Sequence, residues 1–166
     1  MSPAGHFAMG LGAKHFAPNV KWYILLIASY WLDIMFFLFA VLGIEKMEYS
    51  PYSHSLIFAL LWSALWFISS WLMLKEIKVS VVLFFIVLSH WLLDIIAWDF
   101  MPVLLDSHKK IGLGIFTRLS FNPGKFEMGK GVIYCALIEW SLLIPAIFIF
   151  RRVSLKKKIK EKNNEV

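Results

Sequence analysis

The chain has 166 residues, enough for about one domain, and 60% of them are hydrophobic against 17% charged. Ordinary soluble domains run about 45–50% apolar and about 25% charged, and a small soluble core could not hide the 8 Trp, 5 Tyr and 15 Phe counted here. A net charge of +6 and a mean hydropathy of +0.70 argue against a disordered chain, a coiled coil or a soluble enzyme. They point to a basic membrane protein.

Residues 1–21 lack the basic start, continuous apolar stretch and small-residue cleavage site of a signal peptide. Ala4–Ala17 instead reads as a short helix ended by Pro18-Asn19. Its small residues Ala4, Gly5, Ala8, Gly10, Gly12 and Ala13 permit close helix packing. About 20 apolar residues cross a bilayer, and four segments qualify: 22–43, 54–74, 79–98 and 131–150. Trp22, Tyr23, Tyr52 and Trp98 lie near proposed ends, where aromatic rings favour the interface. Ser50-Pro51 reads as cap and first-turn proline of the second span. The expected fold is all-α: a polytopic bundle of four transmembrane helices plus the short N-terminal helix. Residues 1–150 form one integral membrane domain, followed by a basic tail, 151–166.

The connection 99–130 is long for packed helices. It carries a turn at Asn122-Pro123-Gly124 and reads as an interfacial flap or a surface excursion. The lone Cys135 reads as a buried small hydrophobe. In the tail, seven basic residues meet one acid between Arg151 and Lys162. Directly after an apolar segment, such a run reads as an anchor for anionic membrane lipids rather than a nucleic-acid site. Basic residues also set orientation. With both termini inside, the inner side holds eleven basic residues and the outer side six. Without the tail the count reverses, so the tail decides a cytoplasmic placement of both termini.

Ionisable groups at bilayer depth cost at least about 2.5–3.5 kcal/mol on insertion scales and need a partner, a cavity or a purpose. Asp33, His90, Asp94 and Glu139 fall inside the spans, and His54 falls at the mouth of the second. His90 and Asp94, four residues apart, share one helix face. Imidazole with carboxylate is a ligand set suited to Zn²⁺ or a similar divalent ion. At 1.5 Å per residue, Asp33 and His90 each lie about 16 Å from the inner face, and Glu139 about 12 Å from the outer one. Helical geometry leaves His6 open between ligand and packing residue. His15 reads as an interfacial histidine and His108 as a solvated one.

Taken in order, Gly5-His6-Phe7-Ala8, Leu32-Asp33, Pro51-Tyr52-Ser53-His54-Ser55-Leu56 and Ser89-His90-Trp91-Leu92-Leu93-Asp94, with Gly112-Leu113-Gly114 beyond, resemble the bacterial inner-membrane metal-dependent hydrolases. That family is distantly similar to the zinc-dependent phospholipase C and nuclease superfamily, all-helical hydrolases of phosphate esters. The resemblance implies His6, Asp33, His54, His90 and Asp94 as ligands of a divalent metal, zinc first. A further His-x-x-x-Glu pair of that superfamily has no counterpart here, so one or two metals are implied rather than three. The expected function is hydrolysis of a phosphate ester on a lipid or lipid-linked substrate in the cell inner membrane. Glu139 is the candidate general base or extra ligand, and Lys109, Lys110 and Arg118 would neutralise phosphate at the outer mouth. The alternatives are a transport or proton-relay protein and a structural membrane protein whose polar residues lock helices.

Overall fold

The computed structural model describes residues 3–46, 50–99, 101–104, 110–116, 121–122, 125–126 and 130–163. Helix α1 (Pro3–Gly12) runs into a 3-10 turn, Ala13–His15, then α2 (Trp22–Ser29), α3 (Trp31–Val41), the single turn α4 (Pro51–His54), α5 (Leu56–Leu74), α6 (Ile77–Ala97) and α7 (Lys130–Asn163). Between α6 and α7 the described residues hold two short antiparallel pairings, β1 (Met101–Pro102) with β2 (Lys110–Ile111) and β3 (Phe121–Asn122) with β4 (Lys125–Phe126). The molecule is mainly helical. Helices α5 and α6 and the 131–157 stretch of α7 are each long and apolar enough to cross a membrane.

The expected single span 22–43 is broken. Helices α2 and α3 meet at 58°, and Tyr30 between them leaves helical geometry at φ −101°, ψ 9°. Neither glycine nor proline marks the spot. The Ser29 hydroxyl donates to the Leu26 carbonyl at 2.9 Å, and the Ser29 carbonyl is turned to His90 Nδ1 at 2.7 Å. The second span also starts later than expected. Ser55 is extended (ψ 155°) and accepts the Phe58 N–H, so it caps α5, while Ser50 makes no side-chain cap and Pro51 opens the separate turn α4. The third span covers Ile77–Ala97 rather than 79–98. No breaker follows the fourth, so α7 runs on through the basic residues to Asn163, and the tail begins as a helix. At 34 residues α7 is about 51 Å long, against a hydrocarbon core of about 30 Å.

Helices α5 and α6 form an antiparallel hairpin, closed by Lys75 in the left-handed region at φ 56°. Helix α1 tucks in between α2 and α7. That packing depends on a missing side chain: a Cβ on Gly10 would stand 2.8 Å from Leu26 Cδ2 and 3.1 Å from the Leu25 carbonyl oxygen. One core cluster joins Leu25, Leu32, Leu83, Val87 and Trp91, and a second joins Ala8, Leu11 and Ala146. Large apolar side chains such as Phe37, Val41, Met73 and Phe148 face outward, as they do when the surrounding solvent is lipid.

The segment after α6 folds back on the helix ends. The Leu113 N–H reaches the Ile95 carbonyl at 2.7 Å, and the Ile57 N–H reaches that of Val103 at 3.4 Å. Gly112, at φ 147°, lies so close to Trp98 that a Cβ would overlap the Trp98 carbonyl. The expected turn is flanked by the pairing of Asn122 with Lys125. Pro123 and Gly124 themselves lie outside the described residues.

Candidate metal centre

The buried face of α6 carries Leu83, Val87, His90 and Asp94 at spacings of four, three and four, one continuous stripe. His90 is fully enclosed, and its Nδ1 lies 2.7 Å from the carbonyl oxygen of Ser29, the last residue before the break in the first span. A carbonyl oxygen only accepts, so Nδ1 carries a proton and Nε2 is the nitrogen turned toward the carboxylates. Asp33 enters from the first turn of α3, just past the same break, where the helix N-terminus favours a carboxylate. The bend therefore supplies two groups to one place.

His54 comes from α4. Its Nδ1 stands 2.8 Å from Ser53 Oγ, and that hydroxyl donates to Glu45 Oε2 at 2.6 Å. Glu45 is buried, and its other oxygen accepts the backbone N–H groups of Tyr52 and Ser53. Because the hydroxyl proton goes to the carboxylate, Ser53 Oγ accepts from His54 Nδ1–H. His54 Nε2 is thereby turned inward as well. The Trp91 indole N–H holds the His54 carbonyl at 2.9 Å.

Four atoms close a ring in which nitrogen and oxygen alternate. His54 Nε2 and His90 Nε2 both lie 3.5 Å from Asp33 Oδ1. On the other side, Asp94 Oδ2 is 3.6 Å from His54 Nε2 and 3.3 Å from His90 Nε2. These separations exceed an ordinary N–H···O hydrogen bond of about 2.7–3.2 Å, and His90 Nε2 makes no hydrogen bond among the described residues. Bonds of about 2.0–2.2 Å to a tetrahedral zinc separate neighbouring ligand atoms by about 3.3–3.6 Å. Bonds of about 2.3–2.6 Å in an octahedral calcium site give neighbours at about 3.3–3.7 Å as well, so the spacing is that of a divalent-ion site in general. Two imidazoles and two carboxylates enclosed together are balanced either by protons on the histidines or by a cation between them. The donor set and its spacing fit a divalent metal.

His6, on α1, is the fifth member. Its Nε2 lies 3.6 Å from Asp94 Oδ1, the carboxylate oxygen turned away from the ring. Its imidazole stacks flat on that of His90, with centroids 3.7 Å apart and 3° between the planes. Tyr30 meets it edge-on at 5.9 Å. Two triads with ligand-type spacing, His6–Asp33–His90 and His54–His90–Asp94, share His90. Asp33 is the most open of the five, its side chain 36% exposed against 0% for His90 and 5% for Asp94.

All five expected ligands, drawn from four helices, are therefore brought together. Glu139 is buried on α7 but belongs to neither triad. His15 is exposed near Phe16, away from the ring. Lys109, Arg118 and His108 lie outside the described residues, as does the side chain of Lys110. The residues that orient the ligands were not anticipated. Glu45 had a readable signal, being one of two carboxylates, with Glu48, in the short connection before Pro51-Tyr52-Ser53-His54. The Ser29 carbonyl had none, since any residue has one. No family model, curated protein or solved structure matches the chain.

Proposed function

We propose that this protein is a membrane-embedded, metal-dependent hydrolase of a phosphate ester on a lipid or lipid-linked substrate. One observation carries the reading: the alternating ring of His54, Asp33, His90 and Asp94, with both imidazole Nε2 atoms directed inward by partners at Nδ1. The ordered resemblance to the inner-membrane metal-dependent hydrolases supports it, as does the apolar, membrane-length character of the helices. In this reading the bent α2–α3 pair counts as a fourth span, both termini are cytoplasmic, and the centre opens outward in the bacterial inner membrane. Zinc suits the mixed nitrogen and oxygen donors.

A bound divalent ion would polarise a phosphoryl oxygen and bring the pKa of water at the site to about 7. The protein does the rest. His90 and His54 are held in the ligating tautomer. Asp33, at the open side of the ring, faces the approaching ester, and Asp94 reaches His6 with its second oxygen. Glu139, buried on α7, is the proposed general base. Lys109, Lys110 and Arg118 are proposed to balance the phosphate charge at the mouth.

Elemental analysis of the purified protein should find a stoichiometric divalent ion. His90→Ala, Asp94→Asn and Asp33→Asn should each lose most of it, together with hydrolysis of phosphatidic acid in mixed micelles. His15→Ala should keep both. A wild type without divalent ion would overturn the proposal. The broken first span, with carboxylate and histidine at the break, favours one rival, an ion or proton path. Proton or cation flux in liposomes, absent from Asp33→Asn, would favour that rival.

A further inference from the structure

At the basic end of the molecule a cavity of about 700 Å³ lies between the turn after α1 and the continuation of α7. Its floor on α7 is Ile149, Arg152, Val153, Lys156 and Lys157. These positions are one helix face by spacing, so two apolar residues and three cations point the same way. His15 and Asn19 face them from the other wall, and no carboxylate lines the cavity among the described residues. Positive charge is in surplus here. Lys14, buried nearby and donating to the Val20 carbonyl, has its pKa lowered by burial and by the neighbouring Lys157.

An apolar groove adjoins the cavity. A second cavity of about 550 Å³ shares Ile149 with the first and runs between α1 and α6, from Phe16 and Val81 to Ala8 and Leu92. Along α6 that distance is eleven residues, about 16 Å, or one leaflet of a hydrocarbon core about 30 Å thick. A cationic chamber and an apolar groove one acyl chain deep thus meet at Ile149.

We propose that these adjoining cavities hold one anionic phospholipid, its phosphate on Arg152 and Lys156 and one acyl chain in the groove between α1 and α6. A guanidinium offers a paired fork to phosphate oxygens, and the ammonium adds a point charge. The lipid covers the side of α1 that lies away from α2, behind the helix that carries His6. The proposal shares no residue with the metal centre and does not rest on the hydrolase reading; it needs only that these helices lie in a bilayer.

The test is native mass spectrometry of the full chain in neutral detergent. The probes are phosphatidylglycerol, phosphatidylcholine with the same acyl chains, and glycerol 3-phosphate. One phosphatidylglycerol should be retained at least tenfold more tightly than phosphatidylcholine. The exposed pair Arg152→Gln/Lys156→Gln should remove that preference while leaving the thermal midpoint in detergent unchanged. Lys75→Gln/Lys78→Gln removes as much charge on the same side of the membrane and should leave the preference intact. Equal retention of the two lipids would overturn the site. An equal loss in the Lys75/Lys78 variant would reduce it to diffuse charge. Glycerol 3-phosphate binding as tightly as phosphatidylglycerol would mean a free phosphate compound, not a lipid.

Discussion

Ser53 stands between a buried carboxylate and a histidine, donating to the first and accepting from the second. Removing its hydroxyl leaves His54 able to turn over or change tautomer. Partners of this kind are worth about 10–100-fold in metal affinity, so Ser53→Ala should weaken metal binding by about that factor. Competition with a chromogenic chelator measures it, and an unchanged affinity would remove the Glu45–Ser53–His54 chain from the account. Glu139 makes the opposite prediction. It is outside both ligand triads, so Glu139→Gln should keep its metal and lose turnover. Loss of metal instead would make it a ligand. At this scale the sequence was readable for the ligands themselves, because an ionisable group in an apolar span stands out against its neighbours. The orienting groups were not readable, since a serine beside a histidine and a backbone carbonyl look ordinary until the chain brings their partners to them.

Helix α1 is a short element that delivers one ligand, and how closely it packs decides whether His6 reaches Asp94. Gly10 and Gly12 separate packing from propensity. A methyl group on Gly10 would collide with Leu26, Ser29 and the Leu25 carbonyl, whereas on Gly12 it meets only Ala146 Cβ at 3.8 Å. Overpacking costs about 1–3 kcal/mol, so Gly10→Ala should lower the thermal midpoint in detergent and reduce bound metal by displacing His6. Gly12→Ala should be neutral or slightly stabilising, because alanine is the better helix former by about 0.8–1.0 kcal/mol. Equal behaviour of the two variants would mean that α1 does not pack as described. The stripe of small residues made a close helix contact legible. Which glycine bears it depends on α2, twelve residues further along the chain, and no periodicity within α1 reports that. The break at Tyr30 has the same character: 22–43 is apolar enough as a whole to read as one span, and a bend between Ser29 and Trp31 leaves hydropathy unchanged.

Bound metal would tie together α1, α3, α4 and α6, since each contributes a ligand. A ligand that binds only the folded state stabilises it by about 2.7 kcal/mol at a hundredfold excess over its dissociation constant. Stripping the metal with a chelator should therefore lower the thermal midpoint of the wild type and leave that of Asp94→Asn unmoved. A wild type indifferent to chelation would separate the ring from stability altogether. The orientation is a property of the whole chain too. Reporter fusions at Val166 should read cytoplasmic and fusions at Lys46 outside; a cytoplasmic Lys46 would reverse the molecule and the side on which the ring opens.

Composition and hydropathy determined by themselves that this chain is helical and suited to a bilayer. The reason is local: backbone polar groups in lipid are satisfied within a helix, and length and apolarity suffice to mark one. The order of His6, Asp33, His54, His90 and Asp94 likewise singled out the polar residues that apolar surroundings would not tolerate without a role. Only the tertiary structure decided that all five meet and at what spacing. It also decided that a bent first span supplies both a carboxylate and a carbonyl, and that Glu45 and Ser53 set the tautomer of His54. Those outcomes depend on contacts between residues as far apart as His90 and Ser29, where the energy of one arrangement over another lies in the pairing and not in either partner alone.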